Sequence, residues 1–338
     1  MRTRVLLVVR WPVGGIRTFL RYVYRNFDAE KWEIAILAPD LPELRILLDE
    51  LKELKIRYVS IPAEPTPALF FWKILREPFK GKYALVHSHG FTSGICTALP
   101  AVMCRTPHLM TSHDVINFNQ FVGWKGHIKK WVMGILFNFI NTIHSISHDA
   151  QENLLENFPF LSSRKNKLIV IPNGIEVERF SNAEPRDLKG ELGVGEDVFL
   201  IGFLGRFMAQ KGFCYLVDAI DLLQKKENLP KRPLVLTFGE GAFIREEKLA
   251  IKKRNLEEYF CFMPFAPDVS GTIKGLDVVA MPSLWEACPL QPMEALICGT
   301  PFIGTDCIGL REVLNGTPAF VVPKADPHSL ANAIEDEF

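Results

Sequence analysis

Two glutamates eight positions apart, Glu286 and Glu294 in EACPLQPMEAL, are the residues most open to a chemical reading. Paired carboxyl groups can divide general acid from general base, but they must then stand roughly 5–9.5 Å apart across one scissile bond, which this spacing does not enforce. Pro292 suits the first turn of a helix and Gly299 its end, so Glu294 falls in a helical first turn and Glu286 in the loop before it. Dipole stabilisation of roughly 0.3–1 kcal/mol accounts for a carboxylate at Glu294. Glu286 has no such structural reason. A loop carboxylate outside a strand end, beside a helix N-terminus that attracts phosphate, suits gripping the hydroxyls of a ligand whose phosphates lie nearby.

Other residues extend that reading. In FLGRFMAQKGF, Arg206 ends an apolar run and Lys211 precedes a helix opening near Phe213. Two cations beside a helix N-terminus are what a diphosphate requires when no metal neutralises it; the alternative is a capped surface turn. Gly14-Gly15 separates the first strand from its helix, where glycine lets backbone amides approach a ligand. His113, in TSHD, follows a short strand. His87 and His89 in VHSHG also end a strand; no third ligand accompanies them, so they are read as cleft lining rather than zinc ligands.

The elements that would position these residues alternate. Apolar runs such as RVLLVVR, EIAILAP, ALVHSHG and HLMTSHD are separated by helix-length amphipathic segments such as GIRTFLRYVYRNF, as in parallel sheets covered by helices on both faces. KLIVIPNGI closes the first half, with Asn173-Gly174 as its turn. The stretch Ser181–Asp197 is polar and has no apolar period. The alternation restarts with VFLIGFLGR, LVDAIDLL, PLVLTFG, YFCFMPF and DVVAMPS. The expected organisation is therefore α/β: a Rossmann-like domain over 1–180, a linker over 181–197 and a second Rossmann-like domain over 198–338. The chemistry is expected in the cleft between them, beyond the carboxyl ends of the strands.

Composition narrows the class. The 338 residues suit two domains. Net charge is zero, yet residues 1–170 carry 22 Lys and Arg against 14 Asp and Glu, and the remainder 17 against 25. That asymmetry argues against a uniformly basic nucleic-acid binder and allows a first domain that meets an anionic membrane surface; simple surface drift explains it as well. Seven cysteines without a CxxC pair fit buried thiols in a reducing compartment, so a cytoplasmic location is expected. No signal-peptide core or spanning segment is evident. Two basic-aromatic stretches, 70–82 and 124–140, suit helices lying peripherally on the inner face of a membrane, or packed helices with a solvated basic face.

Glu286-x7-Glu294 followed by AxxxGTPxI resembles the retaining GT-B glycosyltransferases of the "group 1" type, which include glycogen-synthase-like and mannosyltransferase-like enzymes. The further segments fall in the family's order along nearly the whole chain. The resemblance implies a GT-B fold and metal-independent transfer of a sugar, with retention, from a nucleoside diphosphate sugar (a UDP- or GDP-sugar) to an acceptor hydroxyl. It also implies a role in cell-surface polysaccharide, glycolipid or glycan synthesis, with a sugar, lipid-linked or small-molecule acceptor. By the same resemblance Arg206 and Lys211 contact the diphosphate, Glu286 the donor sugar, Glu294 the ribose and His113 the transferred sugar. Gly14 and Gly15 face the phosphates or acceptor, Gly239 turns the chain beside the nucleotide, and Phe265 ends a segment that holds the base. No cofactor is implied.

Two departures from the family pattern stand out. Where many members carry glycine after the first glutamate, this chain has Cys288-Pro289-Leu290-Gln291; Pro289 offers no amide proton, leaving those of Leu290 and Gln291. The sequence ends at Phe338, in a helix opened by Asp326-Pro327, whereas the family's last helix crosses back to the first domain. Two rival functions share the architecture: a nucleotide-sugar epimerase, which needs no acceptor, and a non-catalytic partner subunit, which would bind donor without turning it over.

Overall fold

The computed structural model describes residues 2–63, 66–264 and 268–338, in two compact units, Met1–Gly174 and Ile175–Phe338. The strands of unit 1 are β1 (Thr3–Val9), β2 (Trp32–Pro39), β3 (Arg57–Ile61), β4 (Leu85–His89), β5 (His108–Ser112), β6 (Thr142–Ser145) and β7 (Leu168–Val170). Its α-helices are α1 (Gly15–Tyr24), α2 (Pro42–Glu50), α3 (Pro67–Gly81), α4 (Phe91–Met103), α5 (Gly123–Phe137) and α6 (His148–Asn157). In unit 2, α7 (Val177–Ser181) and α8 (Leu188–Leu192) precede β8 (Val198–Phe203), α9 (Phe213–Leu223), β9 (Arg232–Phe238), α10 (Ile244–Lys253) and β10 (Phe260–Met263). There follow α11 (Ser270–Lys274), β11 (Val278–Met281), α12 (Gln291–Cys298), β12 (Phe302–Thr305), α13 (Leu310–Leu314), β13 (Phe320–Val322) and α14 (Pro327–Glu335).

Val5–Val9 and all six residues of β8 are buried, as expected of strands covered on both faces. Strand order among the described residues is β3-β2-β1-β4-β5-β6-β7 in unit 1 and β10-β9-β8-β11-β12-β13 in unit 2. The neighbouring strands pair in parallel, with Val9 opposite His89 across β1 and β4, and Val278 opposite Ile201 across β11 and β8. Each sheet therefore reverses its winding once, between β1 and β4 and between β8 and β11. Those reversals open the crevices at the carboxyl ends of the strands where doubly wound sheets take ligands.

Residues 181–197 are not a linker but part of unit 2. Leu188 is 1% exposed and packs with Phe180, Leu200 and Ile273, while the Arg186 amide donates to the Gly271 carbonyl at 2.9 Å. A five-residue helix with one buried leucine is too short to leave an apolar period, which is why the segment reads as polar. The division falls just after the Asn173-Gly174 turn. The final helix, α14, packs against α9 within unit 2, and Phe338 meets Phe199 edge-on at 4.9 Å.

A chain of neutral hydrogen bonds ties the carboxyl ends of β4, β5 and β6 to α1. His144 Nε2 lies 2.9 Å from the Ile171 carbonyl oxygen, which can only accept, so the His144 proton sits on Nε2. The bare His144 Nδ1 then takes the Thr111 hydroxyl proton at 3.1 Å. Thr111 Oγ1 in turn accepts from His87 Nε2–H at 2.7 Å, and His87 Nδ1 accepts from the Tyr24 hydroxyl. One carbonyl thereby fixes the direction of four bonds. Burial keeps these rings uncharged: it pushes His87 and His89 well below the ordinary imidazole value of 6.5, lowers His144, and takes His108 and His113 down to about 3.

The folded pKa values are depressed, so the unfolded chain takes up protons that unit 1 refuses as pH falls below about 6.5. Stability is fully present above that value and falls towards the folded values, by up to about 1.4 kcal/mol per pH unit for each such histidine. Trp11, Trp32, Trp72, Trp124 and Trp131 lie in unit 1 and only Trp285 in unit 2, so tryptophan fluorescence follows unit 1 during urea unfolding. The midpoint is expected to drop steadily between about pH 7 and pH 5. A flat profile there would contradict the neutral assignment.

Candidate functional site

The polar end of unit 2 is assembled at its switch point. Lys211 follows β8 and Glu286 follows β11, and the two meet with Nζ 2.7 Å from Oε1. The Ser283 hydroxyl donates to the same oxygen at 2.7 Å. Among the described residues Oε2 has no hydrogen-bond partner, so Glu286, itself only 6% exposed, keeps one oxygen able to accept from a ligand hydroxyl. Arg206, three residues after β8 in the same loop, is exposed and has no hydrogen-bond or ion-pair partner among the described residues.

Backbone contacts hold this arrangement. Gln210 Nε2 donates to the Trp285 carbonyl at 2.9 Å, and the Leu284 amide to the Gln210 carbonyl at 2.8 Å, stapling the β8 and β11 loops together. Gln291 Nε2 reaches the Leu204 carbonyl at 3.1 Å and so brings the start of α12 to the end of β8. Leu290 caps α12 with no side-chain hydrogen bond of its own, and its carbonyl accepts from the Glu294 amide at 3.0 Å. Glu294 is half-buried in that first turn, as its spacing implies. A Cβ on Gly239 would stand 2.1 Å from the Gly205 carbonyl oxygen, so glycine is what lets the β9 loop close against the residue before Arg206.

Arg206, Lys211, Gly239, Glu286, Leu290, Gln291 and Glu294 thus gather at one end of unit 2. Phe265 lies outside the described residues. Sequence reasoning missed Ser283 and Gly309. Ser283-x-x-Glu286 has the spacing of a capping box, yet no helix begins there and the serine hydroxyl instead holds the carboxylate. Gly309 has φ +76°, and a Cβ there would stand 2.3 Å from the Glu286 carbonyl oxygen; the Glu286 amide donates to the Ile308 carbonyl at 3.0 Å. No local sequence signal links Gly309 to Glu286, because the contact forms only when β12 lies beside β11.

The remaining predicted residues belong to unit 1. Gly14 (φ +55°) precedes α1 and Gly15 begins it; both are exposed, with open space where a Cβ would stand. His113 follows β5, and Phe19 of α1 meets its ring edge-on at 4.7 Å. His89 Nδ1 lies 3.0 Å from His113 Nε2. Among the described residues no group of His, Cys, Asp and Glu is placed to hold a metal ion. His87 spends both ring nitrogens on Tyr24 and Thr111, which leaves it none to offer a zinc ion beside His89.

Comparison with known proteins accords with both units. The family described as "Glycosyltransferase Family 4" matches residues 13–179, and "Glycosyl transferases group 1" matches residues 198–336. An Escherichia coli relative, UDP-Gal:alpha-D-GlcNAc-diphosphoundecaprenol alpha-1,3-galactosyltransferase, is 26% identical over 95% of this chain and 84% of its own. A D-inositol 3-phosphate glycosyltransferase of Paenarthrobacter aurescens is 25% identical over 82% of this chain and 71% of its own. Among solved structures, Anabaena HepE in complex with UDP-glucose superposes with a TM-score of 0.81 at 21% identity, covering 99% of this chain and 89% of that one. WaaG, a glycosyltransferase involved in lipopolysaccharide biosynthesis, superposes with a TM-score of 0.73 at 15% identity, covering 99% and 90%. With one family matched in each sheet-bearing half and the same fold recovered along the whole chain, this protein belongs to the group 1 glycosyltransferases and has their GT-B fold.

Proposed function

We propose that the chain transfers a sugar, with retention and without a metal ion, from a UDP-sugar to the hydroxyl of a lipid-linked sugar. The observation that carries this reading is the end of unit 2: a free Arg206, a Lys211 shared with Glu286, and a Glu286 oxygen left open to accept. A nucleoside diphosphate is a good leaving group, so the site must stabilise growing phosphate charge rather than protonate an oxygen. Lys211, held by Glu286, and Arg206, in the loop between β8 and α9, supply that charge. Glu286 takes a hydroxyl of the donor sugar, Glu294 takes the ribose, and His113 with the Gly14-Gly15 loop serves the transferred sugar and acceptor. The E. coli relative, named for a UDP-galactose donor and a diphosphoundecaprenol-linked acceptor, supports the choice of donor and acceptor class. Cell-surface glycan synthesis follows from that class.

Arg206→Ala and Lys211→Ala are each expected to lower the transfer rate by about 100-fold or more, the usual effect of losing one preorganised donor of about 2.7–4 kcal/mol. Rates within twofold of wild type would contradict the assignment. Nucleotide release that requires acceptor separates transfer from epimerisation, and EDTA should leave the rate unchanged. In a thermal-shift panel of UDP-, GDP- and ADP-sugars, the UDP compounds should stabilise by about 2.7 kcal/mol at a hundred times their dissociation constant.

A lipid-linked acceptor calls for a surface that meets membrane, and α5 offers one. Trp124, Ile128, Trp131 and Ile135 recur every three or four residues and are 71%, 52%, 68% and 39% exposed, whereas Met133 and Phe137 face the core. Lys125 and Lys129 are exposed beside this stripe, with Lys125 Nζ 5.5 Å from the Trp124 ring centre. Trp72, Lys73 and Arg76 are likewise exposed on α3. No helix among the described residues is long and apolar enough to cross a membrane, so the reading is of a helix lying at an anionic lipid surface. Replacing Lys125 and Lys129 together by glutamate should weaken sedimentation with phosphatidylglycerol vesicles at least tenfold, since each cation contributes about 1 kcal/mol. Unchanged binding, or a stripe that instead mediates self-association seen by light scattering, would overturn the membrane assignment.

A further inference from the structure

His89 and His113 of unit 1 form a pair outside the directional chain that runs from Tyr24 to Ile171. His89 Nδ1 and His113 Nε2 are 3.0 Å apart, with the rings 24° from coplanar and their centres separated by 5.3 Å, so the pair is joined edge to edge along the N···N line. His89 Nε2 is buried without a hydrogen-bond partner. His113 Nδ1 has no partner among the described residues, and His113 is only half-buried. Burial leaves both rings neutral, so each carries a single N–H.

Only two arrangements of the two protons make the bond. If His113 Nε2–H donated, His89 Nδ1 would accept and the His89 proton would sit on Nε2, as a buried N–H with nothing to receive it. If His89 Nδ1–H donates, the buried Nε2 keeps only a bare lone pair. Orphaned buried N–H groups are the rarer of the two in folded proteins, so the second arrangement prevails. His113 Nε2 is then the acceptor and the His113 proton sits on Nδ1. His87, 4.1 Å from His89 between ring centres, is already bonded through both nitrogens, so it offers His89 no alternative partner.

We propose that His89 is a positioning residue that fixes His113 as its Nδ1–H tautomer, so that His113 meets the bound nucleotide sugar as a hydrogen-bond donor to an oxygen lone pair and not as a base. The proposal deepens, and rests on, the reading of His113 as a contact to the transferred sugar. Its structural basis is that the nitrogen facing away from His89 is the one that carries the proton. Phe19 against the His113 ring edge holds that orientation.

Long-range 1H–15N correlation spectra of protein labelled at histidine report the tautomer directly. In wild type, His113 should show a protonated Nδ1 and a bare Nε2. In His89→Leu, which has no proton to donate, His113 should revert to Nε2–H and kcat for acceptor-dependent UDP release from UDP-galactose should fall about tenfold, the effect of one neutral hydrogen bond, with the donor KM within twofold. His89→Asn places an amide N–H where Nδ1–H stood and should restore both the Nδ1–H signature and kcat. Unchanged His87 and His144 signals in each variant show that the neighbouring chain is intact. A wild-type His113 protonated on Nε2 overturns the proposal whatever the kinetics. A His113→Ala variant as active as wild type overturns the reading of His113 as a sugar contact, while the spectrum still decides the tautomer.

Discussion

The Lys211–Glu286 ion pair joins residues 75 positions apart at 2.7 Å, and the polar end of unit 2 is built around it. It forms because β8 and β11 are neighbours in the sheet though far apart in the chain, so the loop after one opens directly onto the loop after the other. A pair this buried adds little net stability, because removing both charges from water offsets most of their attraction. What it does is set positions. Ser283, Gln210 and Gly309 then secure the carboxylate, the β8 loop and the Glu286 backbone respectively.

The two units solve the same geometric problem with opposite chemistry. Unit 2 places an ion pair and an exposed arginine at the carboxyl ends of its central strands. Unit 1 places neutral dipoles there, histidines, a threonine and a tyrosine whose bonds run in one direction because a single carbonyl can only accept. A neutral, fully bonded set of side chains cannot reorganise cheaply.

Much of this architecture is legible in the amino-acid pattern. Strands buried on both faces leave long apolar runs, so β1, β2, β8 and β9 are plain, and Pro292 with Gly299 brackets α12 within a residue. The segment 181–197 misleads because α8 buries one leucine in five residues and its remaining surface is polar. β13 gives no comparable signal, for two of its three residues are exposed at the sheet edge and show no core signature.

Residue types alone establish which chemistry is available: cations at Arg206 and Lys211, carboxylates at Glu286 and Glu294, and imidazoles at strand ends. Local patterning also establishes which of these lie in loops at the carboxyl ends of strands, since that depends only on short-range periodicity and turn residues. Which side chains meet is a property of the folded sheet. That Glu286 shares Lys211 but not Arg206, and that His113 is joined to His89 rather than to His87, follows from strand order and register. Those are set by packing of the whole sheet, and no spacing within one segment encodes them.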